Sequence, residues 1–253
     1  MSKGNNVAKG WDEAAASWVD FVRHGKDYFR DELNNPAMFK LIGDVRGRVV
    51  LDVGCGEGYN ARILAIKGAK VVAADLSGVL IEYAKAQEEK DGLGIDYFVA
   101  DSVDLSMFPD SHFDVVTCFM ALMDIEKYGA AVGEIARVMK ATGRFLFSIT
   151  HPCFEYNPET KKIEGKTEYF GVKRETVPWS MERLLTPFEI VSYHRTLTDY
   201  SKVLFDHGLL IRRLIEPRPT MAGLAKFAPL RQVQVTPHSV VFETAKAIAS
   251  LAP

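Results

Sequence analysis

Two spacings of apolar residues alternate along most of this 253-residue chain. Short apolar runs of strand length are followed by segments in which apolar residues recur every three or four positions, the period of a helix with one buried face. The predicted strands cover residues 48–53, 70–74, 95–100, 113–119, 144–150, 209–215 and 239–244. Because strands and helices alternate, we expect an α/β fold with a doubly wound, mostly parallel sheet and right-handed crossovers.

The pattern before the first strand is helical. Apolar residues recur at helical spacing at Trp11, Ala14, Ala15, Trp18, Val19 and Val22. Gly25 interrupts this helix, a second helix follows, and Pro36 is expected to open a third short one. The sequence therefore predicts an N-terminal helical cap.

Residues 151–195 interrupt the alternation of strands and helices. They lack a helical period, they are rich in aromatic residues and prolines, and polar and apolar positions alternate over residues 166–174. We interpret them as an inserted lid of short strands, after which Thr196 is a candidate N-cap for a new helix, as Ser77 is for the helix after the second strand. The chain, residues 1–253, is then one domain: a cap over 1–45, a core over 46–150, a lid over 151–195 and a return to the sheet over 196–253.

Composition disfavours several classes of protein. The chain is 47% hydrophobic and 25% charged, with a formal net charge of -2 and no long Lys/Arg run, so we expect no nucleic-acid partner. No apolar stretch approaches a membrane span and the N-terminus lacks a signal-peptide pattern, so we expect no membrane partner either. The three cysteines, Cys55, Cys118 and Cys153, form no CxxC pair, which predicts neither a disulfide framework nor a metal site. These features favour a reduced, cytoplasmic protein.

Residues 49–58 carry the strongest chemical signal. The sequence VVLDVGCGEG places an apolar strand before Asp52, then glycines at alternate positions, Gly54, Gly56 and Gly58, and then a helical pattern. Glycine permits the backbone angles of a tight turn and lets a ligand lie close to the main chain, while the following helix directs free N–H groups to the same place. The pattern predicts a nucleotide-like ligand at the carboxyl end of the first strand.

The spacing and the charge of this turn favour one kind of ligand. The dinucleotide-binding pattern is G-x-G-x-x-G, whereas this chain has G-x-G-x-G. The Asp52 carboxylate would repel a pyrophosphate but can accept a hydrogen bond from an ammonium group. A dinucleotide-dependent oxidoreductase is therefore disfavoured.

The run from Asp52 to Gly58 resembles the first motif of class I S-adenosylmethionine-dependent methyltransferases. The resemblance covers residues 48–150 well and the rest of the chain loosely. It implies S-adenosyl-L-methionine as the cofactor and a Rossmann-like sheet of seven strands, in which the seventh runs antiparallel between the fifth and the sixth. The lid and the connection over residues 216–237 would then both leave the sheet on its ligand side.

Four residues beyond the glycine turn match the family's cofactor positions. Asp75 ends the second strand about twenty residues after the turn, the spacing at which a carboxylate meets ribose hydroxyls, although a helix-capping Asp is the alternative. Leu76 would then pack on the adenine. The resemblance implies that Asp101 accepts a hydrogen bond from the adenine amino group and that the backbone N–H of Ser102 donates to the ring. The alternative for Asp101 is a solvated loop residue.

Aromatic residues are predicted to complete the cofactor site. Phe119 ends the fourth strand, where the family's backbone faces the methionine part of the cofactor, and core packing is the alternative for its side chain. Tyr28 and Trp11 are candidates to close over the sulfonium, which a ring face attracts. The alternative is an amphipathic cap that buries its apolar stripe, and we prefer it for Trp18.

The methyl acceptor is the least specified part of the site. His151 follows the fifth strand and is a candidate general base, with a structural hydrogen-bonding residue as the alternative. Tyr193 and His194 lie in a Tyr-His-Arg-Thr segment that resembles one in bacterial members of the group, and we expect one residue of that segment to touch the substrate. Cys153 is expected to be a packing residue.

These observations predict an enzyme that transfers a methyl group from S-adenosylmethionine to an oxygen or nitrogen of a small-molecule acceptor, with a carbon acceptor as the less favoured alternative. An alternative is a non-catalytic protein that binds S-adenosylmethionine or S-adenosylhomocysteine as a sensor or partner subunit. An acceptor cavity with no room beside the methyl group would favour that alternative. The sequence does not specify the acceptor or the oligomeric state.

Overall fold

The computed structural model describes residues 5–157, 160, 162–180 and 183–247. Its α-helices are α1 (Asn5–Arg23), α2 (Asn35–Ile42), α3 (Tyr59–Ile66), α4 (Gly78–Asp91), α5 (Tyr128–Val138), α6 (Leu197–Asp206) and α7 (Met221–Lys226). A π-helix spans Arg30–Asn34, and 3-10 helices span Leu122–Asp124 and Ala228–Gln234. The strands are β1 (Val49–Val53), β2 (Lys70–Asp75), β3 (Asp96–Val99), β4 (Phe113–Phe119), β5 (Met139–Thr150), β6 (Phe154–Asn157), β7 (Lys162–Gly165), β8 (Lys173–Trp179), β9 (Phe188–His194), β10 (Leu209–Ile215) and β11 (Ser239–Lys246).

Seven strands form the central sheet in the order β10-β11-β5-β4-β1-β2-β3. The β11 strand runs antiparallel to both β5 and β10, and the remaining pairings in this sheet are parallel. The predicted fold class, with its antiparallel seventh strand, is confirmed. The carboxyl ends of β1, β2, β4 and β5 therefore lie at one edge, and the register Ser239↔Thr150 brings the start of β11 to the same edge.

Both faces of the central strands are buried. In β1, Val50 and Leu51 are fully buried and belong to two different apolar clusters, one on each side of the sheet. A strand covered by helices on both faces needs apolar residues at consecutive positions, which explains the apolar runs in the sequence. The polar exception in β1 is Asp52, which is 1% exposed.

The N-terminal cap differs in detail from the prediction. Helix α1 ends at Arg23, just before the left-handed Gly25, as predicted. Pro36 does not open a separate helix, because the π-helix Arg30–Asn34 continues directly into α2 and Pro36 lies within the first turn of α2. Proline is tolerated there because the N–H groups of a first turn have no partner within the helix.

The segment after β5 forms two antiparallel hairpins, β6-β7 and β8-β9. Most of the alternating run over residues 166–174 lies in the connection between them, and only its last two residues belong to β8. Alternation of polar and apolar residues did not locate that strand, because a surface connection can show the same pattern. Helix α1 packs against β9, so the second hairpin lies over the N-terminal cap.

Two predicted helix starts have the expected hydrogen bonds. The Ser77 hydroxyl accepts from the backbone N–H of Leu80 at the start of α4. Thr196 and Asp199 form a reciprocal capping box at the start of α6. These caps fix where both helices leave the ligand edge of the sheet.

Candidate functional site

The turn after β1 requires its glycines. Gly54, Gly56 and Gly58 have φ values of 68°, 57° and 83°, in the left-handed region that side chains disfavour. A Cβ at Gly54 would lie 2.5 Å from the Cβ of Ala121, and one at Gly58 would overlap the Tyr97 hydroxyl. Ala121, in the loop after β4, and the Tyr97 side chain on β3 therefore pack directly against the turn.

Asp52 lies beneath this turn with one oxygen free. Its Oδ1 accepts a hydrogen bond from the Thr117 hydroxyl at 2.7 Å, whereas its buried Oδ2 has no partner within the described residues. Burial raises the pKa of Asp52 to about 7, and the neighbouring Asp75 charge adds to this rise although the Thr117 bond opposes it. A cationic ligand would satisfy the free oxygen and favour the ionised form. The site therefore fits a ligand with an ammonium group, such as S-adenosylmethionine.

Asp75 holds the turn from the end of β2. Its Oδ2 accepts from the backbone N–H of Gly56 at 2.7 Å, and its Oδ1 accepts from the backbone N–H of Ser77 at 2.9 Å. The capping geometry expected of the alternative role is thus present. Each carboxylate oxygen has a second lone pair, so contacts with ribose hydroxyls remain compatible with this geometry and stay a prediction. Leu76 follows, half-buried.

Asp101 and Ser102 follow β3 at the same edge of the sheet. The Asp101 Oδ1 accepts from the backbone N–H of Val103 at 3.1 Å, which shapes the loop, and Asp101 and Ser102 are half-buried. Phe119, at the end of β4, contacts the Phe39 ring with centroids 5.5 Å apart, so the packing role is present. The cofactor roles of these residues remain predictions.

The residue after β4 has a strained backbone. Met120 has a φ of 52°, which is rare for a residue with a side chain. Its N–H lies 3.0 Å from the Ser148 carbonyl and 3.1 Å from the Ser148 hydroxyl, and these contacts hold the conformation. Backbone strain of this kind concentrates at functional sites, and here it occurs where the fourth strand meets the ligand edge.

Charged residues fasten α1 to the glycine turn. The Glu57 carboxylate, whose side chain is 1% exposed, accepts from Arg23 of α1 at 2.7 Å and from Arg62 of α3 at 2.9 Å. Asp12 of α1 accepts from the Ser77 hydroxyl at 2.5 Å and from the backbone N–H of Val79 at 3.2 Å. These bonds place the first helix directly beside the turn.

Aromatic side chains from α1 and the second lid hairpin meet over the turn. The cluster consists of Trp11, Trp18, Phe21, Trp179 and Phe188. The Trp179 and Phe188 rings stack with centroids 5.7 Å apart, and the indole nitrogen of Trp18 would lie 3.8 Å from a Cβ at Gly56. The cluster therefore both packs the cap and covers the turn.

Tyr28 lies in a different aromatic group. Its ring lies 4.8 Å from that of Phe227, and the Arg183 guanidinium lies 4.5 Å from the Tyr28 ring centroid. It also packs with Leu33 and Leu230 in a small apolar cluster. The contacts of Tyr28 thus join the N-terminal cap to the connection before β11, and its closure over a sulfonium stays a prediction.

Both ring nitrogens of His151 are engaged. The residue is 4% exposed; its Nδ1 accepts from the backbone N–H of Cys153 at 3.1 Å, so Nε2 carries the proton and donates to Glu216 Oε1 at 3.0 Å. Burial lowers the pKa of His151, although Glu216 opposes that effect. This is the geometry of the structural alternative, because the neutral ring has no free lone pair with which to act as a base. Its catalytic role stays a prediction.

Tyr193 and His194 are buried at the end of β9. His194 Nε2 donates to the backbone carbonyl of Tyr169 at 2.6 Å, and the Arg195 guanidinium lies 5.0 Å from the Tyr193 ring centroid. These contacts tie the second hairpin to neighbouring backbone. A contact between either side chain and a substrate stays a prediction.

Two buried charged residues in this region were not selected as site residues from the sequence. Asp124 ends the 3-10 helix after β4 and is 6% exposed, and Arg195 follows β9 and is 2% exposed. Burial raises the pKa of Asp124 to about 7, while the Ser192 hydroxyl and the Arg195 charge oppose this rise. An acidic residue just after a buried strand at the ligand edge was the available signal for Asp124. Arg195 was visible only as part of the Tyr-His-Arg-Thr segment.

Two further observations concern other kinds of site. Across the described residues, no group of three His, Cys, Asp or Glu side chains is arranged to hold a metal ion. None of the described helices combines the length and apolar character needed to cross a membrane.

Comparison with known proteins agrees with this geometry. Residues 51–147 match the family described as a methyltransferase domain. The structure of a putative S-adenosylmethionine-dependent methyltransferase from Listeria monocytogenes superposes with a TM-score of 0.70 and 26% identity, over 85% of this chain and 97% of that one. A ubiquinone biosynthesis O-methyltransferase from Coxiella burnetii is 32% identical over 49% of this chain.

The sequence relatives differ in how much of their length is matched. An uncharacterized protein from Haemophilus influenzae is 27% identical over 73% of this chain and 76% of its own length. The match to the Coxiella burnetii enzyme spans 53% of that enzyme, so about half of its length has a counterpart here. Residues 51–147 are thus a methyltransferase domain, and the fold and the glycine turn of this chain are similar to those of class I S-adenosylmethionine-dependent methyltransferases.

Proposed function

We propose that the enzyme transfers the methyl group of S-adenosylmethionine to an oxygen or nitrogen of a small-molecule acceptor. The observation that carries this proposal is the cover over the glycine turn, where aromatic residues of α1 and the second lid hairpin stack on one another. Such a cover favours acceptors small enough to be enclosed. The name of the Coxiella burnetii relative, a ubiquinone biosynthesis O-methyltransferase, also supports transfer of a methyl group to an oxygen atom.

The chain's own contribution is binding, alignment and exclusion of water. The cofactor supplies a methyl carbon already activated by its sulfonium. Asp52 and the glycine turn would hold the amino-acid end, and Asp75 would hold the ribose. An in-line displacement depends on the alignment of the cofactor and the acceptor. The lid and α1 would support the reaction by holding both reactants in place and by excluding water.

Ligand selectivity provides the first test. We expect isothermal titration calorimetry to show binding of S-adenosylmethionine and S-adenosylhomocysteine at micromolar dissociation constants and no binding of NAD, because Asp52 offers a carboxylate where a pyrophosphate would need donors. A screen of a metabolite extract with radiolabelled cofactor would then identify methylated products. Transfer of label to RNA or to large proteins, with no labelled small molecule, would contradict the proposed substrate class.

Substitution of Asp75 tests the cofactor site. Asp75→Ala should weaken cofactor binding by about 1.5–3 kcal/mol, since it removes hydrogen bonds to a charged group and frees the Gly56 N–H. The matched control is Asp104→Ala, which removes a loop carboxylate that accepts from the backbone N–H of Ser106. Calorimetry should show unchanged affinity for the control. If both variants bind the cofactor as tightly as the wild type, Asp75 is only a cap.

A further inference from the structure

Asp124 and Arg195 are buried, oppositely charged and incompletely bonded. The Asp124 Oδ1 and the Arg195 Nε and Nη1 have no hydrogen-bond partner among the residues that the structure describes. The Arg195 guanidinium also lies beside the Tyr200 hydroxyl, where it opposes the rise that burial causes in the pKa of Tyr200. The third guanidinium nitrogen, Nη2, donates to the carbonyls of Ile125 at 2.6 Å and Glu126 at 3.0 Å, so the Arg195 side chain is firmly placed. Its ring contact with Tyr128, 4.0 Å from guanidinium carbon to ring centroid, fixes it further.

The two groups do not neutralise each other by contact. Within the described part of the chain they form no ion pair at 4.0 Å or less, although the Arg195 charge is close enough to act on the pKa of Asp124. Buried polar atoms without partners are costly, and native proteins rarely retain them without a ligand, water or function. By contrast, the buried Glu57 carboxylate is fully paired with two arginines.

The position of this pair connects it to the cofactor site. Asp124 lies four residues beyond Met120, the strained residue after β4, and the Asp75 charge contributes to the raised pKa of Asp124. The Cys118 thiol on β4 is influenced by both Asp52 and Asp124, and its pKa is raised mainly by burial. The free atoms of Asp124 and Arg195 thus lie at the same buried edge of the sheet as Asp52 and Asp75, the carboxylates predicted to bind the cofactor.

We propose that Asp124 and Arg195 bind the reacting hydroxyl of the acceptor, that this hydroxyl is phenolic or enolic, and that Asp124 is its general base. This inference rests on the proposed small-molecule methyl transfer and adds the acceptor class. A hydroxyl matches both partners, because it donates to the free Asp124 oxygen and accepts from the free Arg195 donors. A carboxylate acceptor would meet repulsion from Asp124, and a neutral amine needs no base before attack.

Acid strength selects among hydroxyls. With a pKa of about 7, Asp124 is a stronger base than an ordinary carboxylate. A phenol such as the tyrosine side chain has a pKa near 10, about three units above that of Asp124. Proton transfer from the phenol to Asp124 therefore has an equilibrium constant of about one in a thousand, and the nearby Arg195 cation makes it more favourable. An aliphatic alcohol is a far weaker acid than a phenol, so this carboxylate is too weak a base to deprotonate it.

The atoms and electrons of the step balance. The Asp124 carboxylate accepts the hydroxyl proton, and a lone pair of the acceptor oxygen forms the bond to the methyl carbon. The bond between that carbon and sulfur breaks, and its electron pair remains on sulfur, which becomes a neutral thioether. Arg195 stabilises the negative charge on the acceptor oxygen as the proton leaves. The proton on Asp124 then returns to solvent.

The binding test uses two naphthalene probes and two matched variants. Asp124→Asn keeps the shape of the side chain, and Asp114→Asn is the control, because Asp114 lies at the opposite end of β4 and bonds to Lys140 and the backbone of Val49. In protein saturated with S-adenosylhomocysteine, wild type and Asp114→Asn should bind 1-naphthol at least about tenfold more tightly than 1-methoxynaphthalene. Asp124→Asn should lose that preference. Equal binding of the two probes by the wild type would overturn the proposal.

Methyl transfer provides an independent readout. With labelled S-adenosylmethionine, Asp124→Asn should methylate 1-naphthol about a hundredfold more slowly than wild type while its cofactor affinity stays within about twofold. Methylation of 1-naphthylamine and not of 1-naphthol by the wild type would overturn the acceptor class but leave small-molecule methyl transfer intact. An unchanged rate in Asp124→Asn would also overturn the assignment. Failure of both probes together with labelling of a polymer would defeat the proposed function itself.

The pH profile distinguishes a base from a structural residue. The rate of 1-naphthol methylation should rise as pH increases through about 7, since Asp124 must be ionised, and this limb should disappear in Asp124→Asn. The titratable and charged groups around Asp124 are Arg195, Asp75, Cys118 and Tyr200. Burial raises the pKa values of Cys118 and Tyr200 well above this range, so neither produces a limb near neutrality. The pKa of Asp52 is also about 7, so the rates are measured at saturating S-adenosylmethionine, whose ammonium group keeps Asp52 ionised. A limb that persists unchanged in Asp124→Asn would overturn the role of Asp124.

Discussion

Glu57→Ala is expected to lower the free energy of unfolding by about 3–5 kcal/mol, the range observed when one partner is removed from a buried ion pair. Glu57 is fully buried in the glycine turn and accepts hydrogen bonds from Arg23 and Arg62. The Arg62 side chain, 12% exposed, would keep its bond to the Glu57 backbone carbonyl but lose its counter-charge. Arg23, 26% exposed, would lose the contact that joins α1 to the turn.

Chemical denaturation at neutral pH would measure this loss. The matched control is Glu13→Ala, which removes a surface ion pair with Lys9 whose side chains are 69% and 71% exposed. Exposed pairs of this kind contribute about 0–1 kcal/mol, so the control should unfold almost like the wild type. Equal stability of the two variants would show that Glu57 does not hold the cap and the turn together.

The same variant links stability to binding. Because Arg23 connects α1 to the turn through Glu57, its release should loosen the helix that carries Trp11 and Trp18 over the site. We expect Glu57→Ala to bind S-adenosylmethionine more weakly even at temperatures where it remains folded. Faster hydrogen exchange confined to α1 and the turn would locate the effect.

Local sequence signals predicted the framework of the site well. The positions of Gly54, Gly56 and Gly58 follow from the backbone angles that the turn requires, and Ser77 and Thr196 act as caps within a few residues of their partners. These features depend on short stretches of chain, so their spacing is visible without a structure. The place of the seventh strand, antiparallel between the fifth and the sixth, came from the family resemblance and is confirmed.

Long-range contacts were not predictable in the same way. The partners of Glu57 lie 34 residues before it and five residues after it, and nothing in their spacing marks them as a pair. His151 was a candidate general base in the sequence, but its hydrogen bond to Glu216, 65 residues away, is the contact of a structural residue. Asp124 acquires its properties from burial beside Arg195, which only the packed structure reveals.

Asp52→Asn is expected to stabilise the ligand-free protein and weaken cofactor binding. The wild-type carboxylate is buried with a free oxygen, and its pKa of about 7 lies about three units above the ordinary value of 3.8. At pH 8 this difference corresponds to a cost of about 4 kcal/mol, of which an incompletely bonded amide would restore part. We therefore expect the variant to gain about 2–3 kcal/mol in the free energy of unfolding at that pH.

The pH dependence has a defined sign. Since the folded-state pKa of Asp52 is raised, its contribution to wild-type stability is fully present below pH 3.8 and is lost as pH rises towards and through about 7. The difference between variant and wild type should therefore be small near pH 4 and reach its plateau above pH 7. Asp124 titrates with the same sign in both proteins, so it cancels from this difference.

Asp114, near the start of β4, provides a control that should show the opposite pH dependence. Although burial works against it, hydrogen bonds from Lys140 and from the backbone N–H of Val49 hold the pKa of Asp114 below its ordinary value. Asp114→Asn should therefore destabilise the protein at neutral pH and differ least from wild type in acid. Parallel denaturation curves across pH 4 to 8 would separate the two carboxylates. Destabilisation by Asp52→Asn at pH 8 would show that the Asp52 carboxylate is better satisfied than its free oxygen indicates.

Saturating cofactor should reduce the difference in stability between Asp52→Asn and the wild type. Loss of the carboxylate removes a charge-assisted hydrogen bond to the ligand ammonium, so Asp52→Asn should bind S-adenosylmethionine about 1.5–3 kcal/mol more weakly. A ligand that binds only the folded state stabilises it in proportion to its affinity, so saturating cofactor should raise the melting temperature of the wild type more than that of the variant. If the two melting temperatures rise equally, Asp52 does not bind the ammonium group. A larger rise in the melting temperature of the wild type would explain why the chain retains a buried carboxylate oxygen without a partner. The Asp52 carboxylate lowers the stability of the ligand-free protein, and it is retained because it binds the ammonium group of the cofactor.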